Sequence, residues 1–303
     1  MEPGPPPRTG LLVRPQPLPP HHRGRTGAHP VTQANPQPIH HPTFTLTPGS
    51  SPLLVSFPHV GTDIPDAIRN RLVPRAHAAE DTDWHLEALY AFVRDMGAGT
   101  LVPRHARYVV DLNRPPENAP MYPGVNNTEL CPSRFFSGEP LYLPGQEPTE
   151  SEVAQRVTDY WRPYHDALDG ELQRLRTLHG HAVLFDSHSI CSVLPWLFEG
   201  RLPDLNLGTV NGSSAAPALR EQLSKVLQNQ SEFTQVVDGR FKGGYITRNY
   251  GRPAEQVHAI QLEMGWRCYM AEEPPYTLAP DRAARVLPVL HALVRTLTDW
   301  RPA

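Results

Sequence analysis

The chain has 303 residues, of which 19% are charged, and its formal net charge is -3. This balance gives no basic field of the kind that nucleic acids or anionic membranes attract, so the sequence favours a small-molecule partner. No apolar run approaches the ~20 residues that cross a bilayer, and the N-terminus lacks the short apolar segment of a secretory signal. We therefore expect a cytoplasmic protein with no membrane contact and no nucleic-acid partner.

The three cysteines, Cys131, Cys191 and Cys268, are isolated in the sequence. Their spacing favours neither a disulfide framework nor a thiolate zinc cluster. Any metal site in this protein is therefore expected to use histidine and carboxylate ligands.

Residues 1–42 are dominated by Pro, Gly, Arg, Gln and His, as in PGPPPRTG and RPQPLPPHHRGRTG. Such a segment has too few aromatic and β-branched residues to offset the entropy lost on ordering, so the composition predicts a disordered tail. We place the folded domain at residues 43–303.

The first half of that domain alternates short strands with helices. The run PLLVSF at 52–57 predicts a buried strand, and DTDWHLEALYAFVRDMG at 81–97 predicts a helix that ends at its glycine. TLVP at 100–103 and ARYVVDL at 106–112 are typical of strands. The Pro-, Gly- and Asn-rich stretch 113–148 predicts a long loop, and loops of that length are usually functional. Thr149 and Glu152 form a capping box that begins a helix running to about Leu178.

The second half continues the alternation. AVLFD at 182–186, LNLGTV at 205–210, FTQVVD at 233–238 and VHAIQLEM at 257–264 predict strands. A helix is expected from Pro217 to about Gln228, and another over 280–300. The sequence therefore predicts an α/β fold, a single three-layer domain with a mostly parallel mixed sheet covered by helices on both faces.

Polar side chains stand at the ends of four predicted strands. His59 follows the first strand, Asn113 and Arg114 follow ARYVVDL, His188 follows AVLFD, and Glu263 ends VHAIQLE. In open α/β sheets ligands bind beyond the carboxyl ends of the strands, so we expect these residues to share one edge. Taken singly, each histidine is typical of a turn or a helix cap. A carboxylate inside an apolar strand is costly unless it is paired or functional, which favours a shared site.

Two histidines, a carboxylate ligand and a nearby glutamate are the set that zinc hydrolases use. Three protein ligands hold the ion, one position stays open for water, and the glutamate is the general base. In DSHS at 186–189, Asp186 is placed to orient the imidazole of His188. A nucleophilic Ser187 or Ser189 is a weaker alternative, because no G-x-S-x-G elbow surrounds either hydroxyl.

Seven fragments together resemble the N-formylglutamate amidohydrolases, the deformylases of histidine degradation: SFPHVGTDIP, DTDWHLEALY, ARYVVDLNRPPE, WRPYHDAL, LFDSHSI, GGYITRNYG and AIQLEM. The resemblance runs from about residue 43 to about residue 270. It implies hydrolysis of N-formyl-L-glutamate to L-glutamate and formate, the last step of a histidine-degradation route, with one zinc ion. It also implies an α/β fold similar to that of the zinc carboxypeptidases, which is phosphorylase/hydrolase-like.

Carried over to this sequence, the resemblance makes His59 and His188 metal ligands and Glu263 the general base. The zinc carboxypeptidases place a glutamate three residues after the first histidine, but this chain has Thr62 there. The carboxylate ligand must therefore come from another segment.

Asp83 is the expected third ligand, because it lies at the start of a predicted helix that can pack beside the first strand. Asp81 and Asp63 are the alternatives. The choice among these three aspartates stays open at the level of sequence.

Three arginines and an asparagine complete the expected site. The Asn113–Arg114 pair resembles the carboxypeptidase pair that binds a terminal carboxylate, which here is the α-carboxylate of the substrate. Arg107 is the candidate for stabilising the oxyanion. A second substrate carboxylate calls for a second guanidinium, since arginine offers a bidentate fork. Arg248 in GGYITRNYG is predicted to bind it, because glycines let the backbone approach a ligand closely.

Two other functions fit part of this pattern. One is an amidohydrolase for another N-acyl acidic amino acid, with an N-acetyl, N-succinyl, N-carbamoyl or N-formylaspartate substrate. The other is a glutamate-binding protein without turnover. Glu263 argues against the binding protein, because its carboxylate would repel an anionic ligand unless a metal lay between them.

Overall fold

The structure is a computed structural model that describes Met1, Gly4 and residues 37–121 and 126–302. The chain divides into Met1–Ala34 and Asn35–Ala303, and every element described below belongs to the second unit. Most of the predicted disordered tail lies outside the described residues. Its end is corrected, because Ile39–His41 form a strand within the stretch assigned to that tail. These residues pair with the next strand along the chain, so the sheet begins before residue 43.

Among the described residues, eight strands form one sheet. They are β1 (Ile39–His41), β2 (Phe44–Thr47), β3 (Leu53–Ser56), β4 (Gly99–Pro103), β5 (Ala182–Ile190), β6 (Leu205–Gly208), β7 (Gln235–Val237) and β8 (Val257–Gly265). Their spatial order is β1-β2-β4-β3-β5-β8-β6-β7. The four central strands β4, β3, β5 and β8 are parallel, whereas β2 pairs antiparallel with β4 and β6 antiparallel with β8. The predicted mostly parallel mixed sheet is confirmed.

Seven α-helices are described: α1 (Asp66–Arg69), α2 (Leu86–Leu89), α3 (Glu150–Arg156), α4 (Arg162–His179), α5 (Pro217–Gln228), α6 (Tyr245–Tyr250) and α7 (Pro280–Asp299). A π-helical turn at Val157–Trp161 joins α3 to α4, which makes the long helix predicted from the capping box. The side chain of Thr149 accepts a hydrogen bond from the backbone N–H of Glu152 at 3.3 Å. Short 3-10 turns lie at Pro74–Ala78, Ala91–Arg94, Pro253–Glu255 and Trp266–Cys268. No helix in the described part of the chain is long and apolar enough to span a bilayer.

Helices cover both faces of the sheet because its central strands are apolar on both sides. In β3, Leu53 and Val55 pack in a core with residues of α5 and α7, whereas Leu54 between them packs with residues of α4. Successive side chains of a strand point to opposite faces, so one strand contributes to two cores. This is the predicted three-layer α/β arrangement.

The helix predicted over 81–97 is wrong in its extent. His85 has a left-handed backbone (φ 63°), which a right-handed helix cannot include, so α2 begins only at Leu86. A tertiary contact holds His85 there, because its Nε2–H donates to the carbonyl of Tyr276 at 2.7 Å. Asp83 therefore lies in the turn before α2 and does not cap the helix.

The strand predicted at 106–112 is also wrong. The segment forms turns, although Tyr108, Val109 and Val110 are buried as a strand would require. Arg107 and Asp111 form an ion pair, and Asp111 also contacts His59. The backbone therefore turns around these side chains and does not extend along the sheet.

Candidate active site

Three parallel strands deliver the key side chains to one edge of the sheet. His59 lies three residues beyond the end of β3, while His188 and Glu263 lie near the carboxyl ends of β5 and β8. His188 and Glu263 are directly paired in the β5–β8 register. The carboxyl ends of parallel strands meet at the same edge, so these side chains converge, as the sequence predicts.

His59, Asp83 and His188 form a buried group whose ligand atoms all lie within 4.8 Å of one another. Oδ2 of Asp83 is 3.2 Å from Nδ1 of His188 and 3.7 Å from Nδ1 of His59. The backbone N–H of Asp83 donates to the carbonyl of His59 at 3.0 Å, which fixes the turn that carries the carboxylate. The structure thus brings together the three residues predicted as metal ligands.

The two alternative aspartates lie elsewhere. Asp81 is buried but accepts hydrogen bonds from the hydroxyl of Tyr108 at 2.9 Å and the N–H of Phe136 at 3.0 Å. Burial raises the pKa of Asp81 to about 6. Asp63 is half exposed and pairs with Arg104 at 2.6 Å. Of the three candidates, Asp83 is therefore the one placed beside the histidines.

A buried carboxylate holds the far nitrogen of each histidine. Nε2 of His59 lies 2.7 Å from Asp111, and Nε2 of His188 lies 2.9 Å from Asp186. Both Nδ1 atoms consequently face Asp83. Such carboxylate–histidine pairs fix the tautomer and orientation of metal-binding imidazoles. Asp186 was predicted in this role; Asp111 was not, although its place two residues before the Asn–Arg pair was a usable signal.

The geometry of this group fits a divalent cation. Zinc ligands at about 2.0–2.2 Å in a tetrahedral shell stand roughly 3.3–3.6 Å apart, and the separations of 3.2 and 3.7 Å between Asp83 and the two histidines lie on either side of that range. Asp83, Asp111 and Asp186 are buried beside the two imidazoles, and Arg107 pairs with Asp111. Buried carboxylates need compensating positive charge, which a divalent cation at this position would supply.

The electrostatic environment of His188 also favours a bound cation. Burial alone would lower the pKa of His188, but Asp186 and Asp83 outweigh burial and hold that pKa well above its usual range. Burial would likewise raise the pKa of Asp83, yet its hydrogen bonds with the two histidines bring it to about 2. The group therefore stabilises positive charge at its centre and keeps Asp83 ionised.

Glu263 lies in the same cavity as the three predicted ligands. Burial raises the pKa of Glu263 to about 8, with His188 acting in the opposite direction. The side-chain amide of Gln261 donates to its carboxylate at 3.4 Å. A carboxylate whose pKa approaches neutrality is suited to accept and return a proton.

The predicted Arg107, Asn113 and Arg114 also line this cavity. Arg107 is buried, pairs with Asp111 and stacks over Phe136 with its guanidinium carbon 4.4 Å from the ring centre. Arg114 is half-buried, and its Nη2 donates to the hydroxyl of Thr128 at 2.7 Å. Both guanidiniums are therefore held in fixed positions at the wall of the cavity.

Asn113 ties several parts of the site together. Its Oδ1 accepts from the N–H of Ile246 at 2.8 Å, so its Nδ2 must face the other way, 2.9 Å from Nε2 of His188 and 3.4 Å from Asp186. A Cβ on Gly244 would lie 2.3 Å from Nδ2 of Asn113, which is why that position lacks a side chain. The side-chain amide thus donates to Asp186 beside the imidazole of His188, a contact that the sequence did not predict.

The structure does not bring Arg248 to the cavity, and its predicted role needs correction. Arg248 is exposed on α6, whose opposite face carries the buried Ile246, Thr247 and Tyr250. Its Nε donates to the carbonyl of Gly243 at 2.9 Å. The glycines of this segment serve the packing of Asn113, and helical periodicity directs residue 248 outward.

The chain matches a protein family and several known proteins. The N-formylglutamate amidohydrolase family matches residues 51–270. The N-formylglutamate deformylase of Pseudomonas putida is 46% identical over 252 residues, covering 83% of this chain and 94% of that protein. The N-formylglutamate deformylase of Pseudomonas aeruginosa is 44% identical over 252 residues, with the same coverage.

Two solved structures share the fold. The crystal structure of N-formylglutamate amidohydrolase from Ralstonia eutropha JMP134 is 26% identical with a TM-score of 0.69, and the match covers 84% of this chain and 96% of that one. A protein from Agrobacterium tumefaciens is 17% identical with a TM-score of 0.64 over 84% of this chain and 94% of its own. With a family match over most of its length and relatives at 44% and 46% identity, the chain belongs to the N-formylglutamate amidohydrolase family.

Proposed function

We propose that this protein hydrolyses N-formyl-L-glutamate to L-glutamate and formate. The observation that carries the proposal is the buried His59–Asp83–His188 group with Glu263 in the same cavity. The names of its relatives in the family give the substrate. The reaction would be the last step of a histidine-degradation route, as the resemblance of the sequence implies.

His59, Asp83 and His188 would hold one divalent metal ion, and two nitrogens with one carboxylate oxygen suit zinc. When bound, the ion lowers the pKa of a coordinated water and polarises the formyl oxygen. Asp111 and Asp186 keep both imidazoles turned toward that position.

Glu263 would carry the proton through the reaction. Its carboxylate accepts a proton from the attacking water as oxygen adds to the formyl carbon, and then delivers it to the glutamate nitrogen as the C–N bond breaks. The raised pKa of Glu263 favours delivery of the proton to the departing nitrogen. Arg107, fixed by Asp111, would stabilise the charge that develops on the formyl oxygen.

Asn113 and Arg114 would position the α-carboxylate of the substrate. Arg114 is the half-buried guanidinium of the pair, and the carbonyl of Thr128 accepts from its Nε at 3.0 Å. Asn113 would act mainly by donating to Asp186, the partner of His188, and by holding the backbone of α6. A small dianionic substrate matches a cavity that combines a metal position with arginines.

An assay of formate release tests this function. Purified protein loaded with zinc should release formate from N-formyl-L-glutamate, and a chelator should abolish the release until zinc is restored. N-acetyl-, N-succinyl- and N-carbamoyl-L-glutamate and N-formyl-L-aspartate serve as comparison substrates. Faster hydrolysis of any of these would reassign the substrate, and tight glutamate binding without turnover would reject the enzyme.

Asp111→Asn tests the support of the first ligand. Burial alone would raise the pKa of Asp111, but Arg107 and His59 outweigh it and hold that pKa well below its usual range, so the residue is a carboxylate. Losing this charge should weaken zinc binding by ~10–100-fold, since such supporting groups contribute about that much. Competition with a chromogenic chelator measures the affinity.

The matched control is Asp63→Asn, which removes a carboxylate that is paired with Arg104 on the surface. Exposed pairs contribute little, so its zinc affinity should equal that of the parent. Equal zinc affinity in the Asp111 and Asp63 variants would contradict the assigned role of Asp111.

A further inference from the structure

We infer that Arg240 binds the side-chain carboxylate of the substrate and thereby sets the preference for an N-acyl dicarboxylic amino acid. The inference rests on the proposed function and names a residue that the sequence did not single out. Among the described residues, arginines 107, 114 and 240 line the cavity that contains Glu263. A substrate with two carboxylates needs two guanidiniums besides the groups at the reacting carbon.

The other two arginines are already assigned by their contacts. Arg107 is buried against Asp111, and its charge is balanced within the protein. Arg114 adjoins Asn113 and is held by Thr128 through both its Nε and its Nη2. Arg240 is the third arginine in the described lining of the cavity, and we place it at the second carboxylate. Arg240 and Arg114 are half-buried residues, whereas the predicted metal ligands are buried. The two arginines therefore lie nearer to solvent than the reacting groups.

Arg240 is held in place from two sides. Its Nη2 donates to the carbonyl of Leu197 at 2.8 Å. The adjacent Phe241 packs with Leu197 and Phe198 in an apolar cluster around Phe136 and Ile190. Apolar neighbours lower the local dielectric constant and strengthen an ion pair with a ligand.

The start of the same loop is also fixed. Asp238 accepts hydrogen bonds from the backbone N–H and the hydroxyl of Thr209, both at 2.7 Å, and pairs with Arg220 at 3.0 Å. A guanidinium that is bonded to Leu197, on a loop fixed at its start, loses little conformational entropy when a carboxylate binds. Such preorganisation is what a residue that selects a substrate requires.

The test compares Arg240→Gln with the parent on three substrates: N-formyl-L-glutamate, N-formyl-L-glutamine and N-formyl-L-isoglutamine. The second lacks the side-chain charge and the third lacks the α-carboxylate charge. Arg240→Gln should lower kcat/KM by about 10- to 100-fold for the two substrates that carry the side-chain carboxylate, as expected for loss of a charge-assisted pair. It should leave N-formyl-L-glutamine unchanged.

Zinc content and the unfolding midpoint of Arg240→Gln should match the parent, because Arg240 is not among the predicted ligands. Arg248→Gln is the matched control, since Arg248 is exposed outside the cavity and should keep the parent's kcat/KM on all three substrates.

The outcomes separate this inference from the proposed function. If kcat/KM of Arg240→Gln falls by the same factor on all three substrates, or falls only on those with an α-carboxylate, Arg240 does not bind the side-chain carboxylate. If the parent hydrolyses N-formyl-L-glutamate and Arg240→Gln keeps the parent's preference among the three substrates, the inference alone is overturned. A parent that releases no formate from N-formyl-L-glutamate would overturn the proposed function and the inference with it.

Discussion

Glu263→Gln should lose kcat by ~10²–10⁴-fold while keeping one equivalent of zinc. The amide has nearly the volume of the carboxylate but cannot accept a proton from the attacking water. Glu263 is not part of the His59–Asp83–His188 group, so the metal position should be unaffected. Stopped assays of formate release, with metal analysis on the same sample, measure both quantities.

The folded state of this variant provides an internal check. Burial disfavours ionisation of Glu263, so a neutral glutamine should not lower the unfolding temperature. Glu147→Gln, in an exposed loop, is the matched control and should keep full activity. A kcat within tenfold of the parent would remove Glu263 from the role of general base.

His188→Ala should remove the metal and with it the activity. It deletes one of three predicted ligands, so zinc affinity should fall by more than the ~10²-fold attributed to groups that only support a ligand. It also leaves the buried Asp83 and Asp186 without their shared imidazole, which should lower the unfolding temperature. Zinc content after dialysis measures the first effect, and thermal unfolding measures the second.

Two further variants separate loss of a ligand from loss of folding. Asp83→Asn is nearly isosteric and should also release zinc, because the amide is a poor ligand. His165→Gln alters a buried histidine that is hydrogen-bonded to Tyr250 and to the carbonyl of Leu112, each at 2.9 Å, and it should retain zinc. A full equivalent of zinc in dialysed His188→Ala would reject the ligand assignment.

The main features of the fold could be read from the sequence because they depend on local pattern. Apolar runs such as those of β3, β5 and β8 are typical of buried strands, and Pro217 marks the start of α5. The errors occurred where tertiary contacts replaced that pattern. His85 is held in a left-handed conformation by Tyr276, and the turns over 106–112 follow the polar bonds of Arg107 and Asp111.

The features of the site also divide into those set by local sequence and those set by tertiary contacts. The sequence by itself determined that His59, His188 and Glu263 meet, because each ends a strand and the carboxyl ends of parallel strands share one edge. Only the tertiary structure decided which aspartate joins them. Asp63, Asp81 and Asp83 all lie in irregular segments, whose course depends on long-range packing and not on the local succession of residues.

The arginines show the same limit. Arg240 and Arg248 lie eight residues apart in one segment with similar local composition, yet the first lines the cavity and the second is exposed. Helical periodicity turns Arg248 outward once α6 is packed through Ile246 and Tyr250, and the contacts of Leu197 turn Arg240 inward. On a strand, the apolar pattern of the strand itself fixes which way each side chain points. On a loop, contacts with residues distant in the sequence fix it.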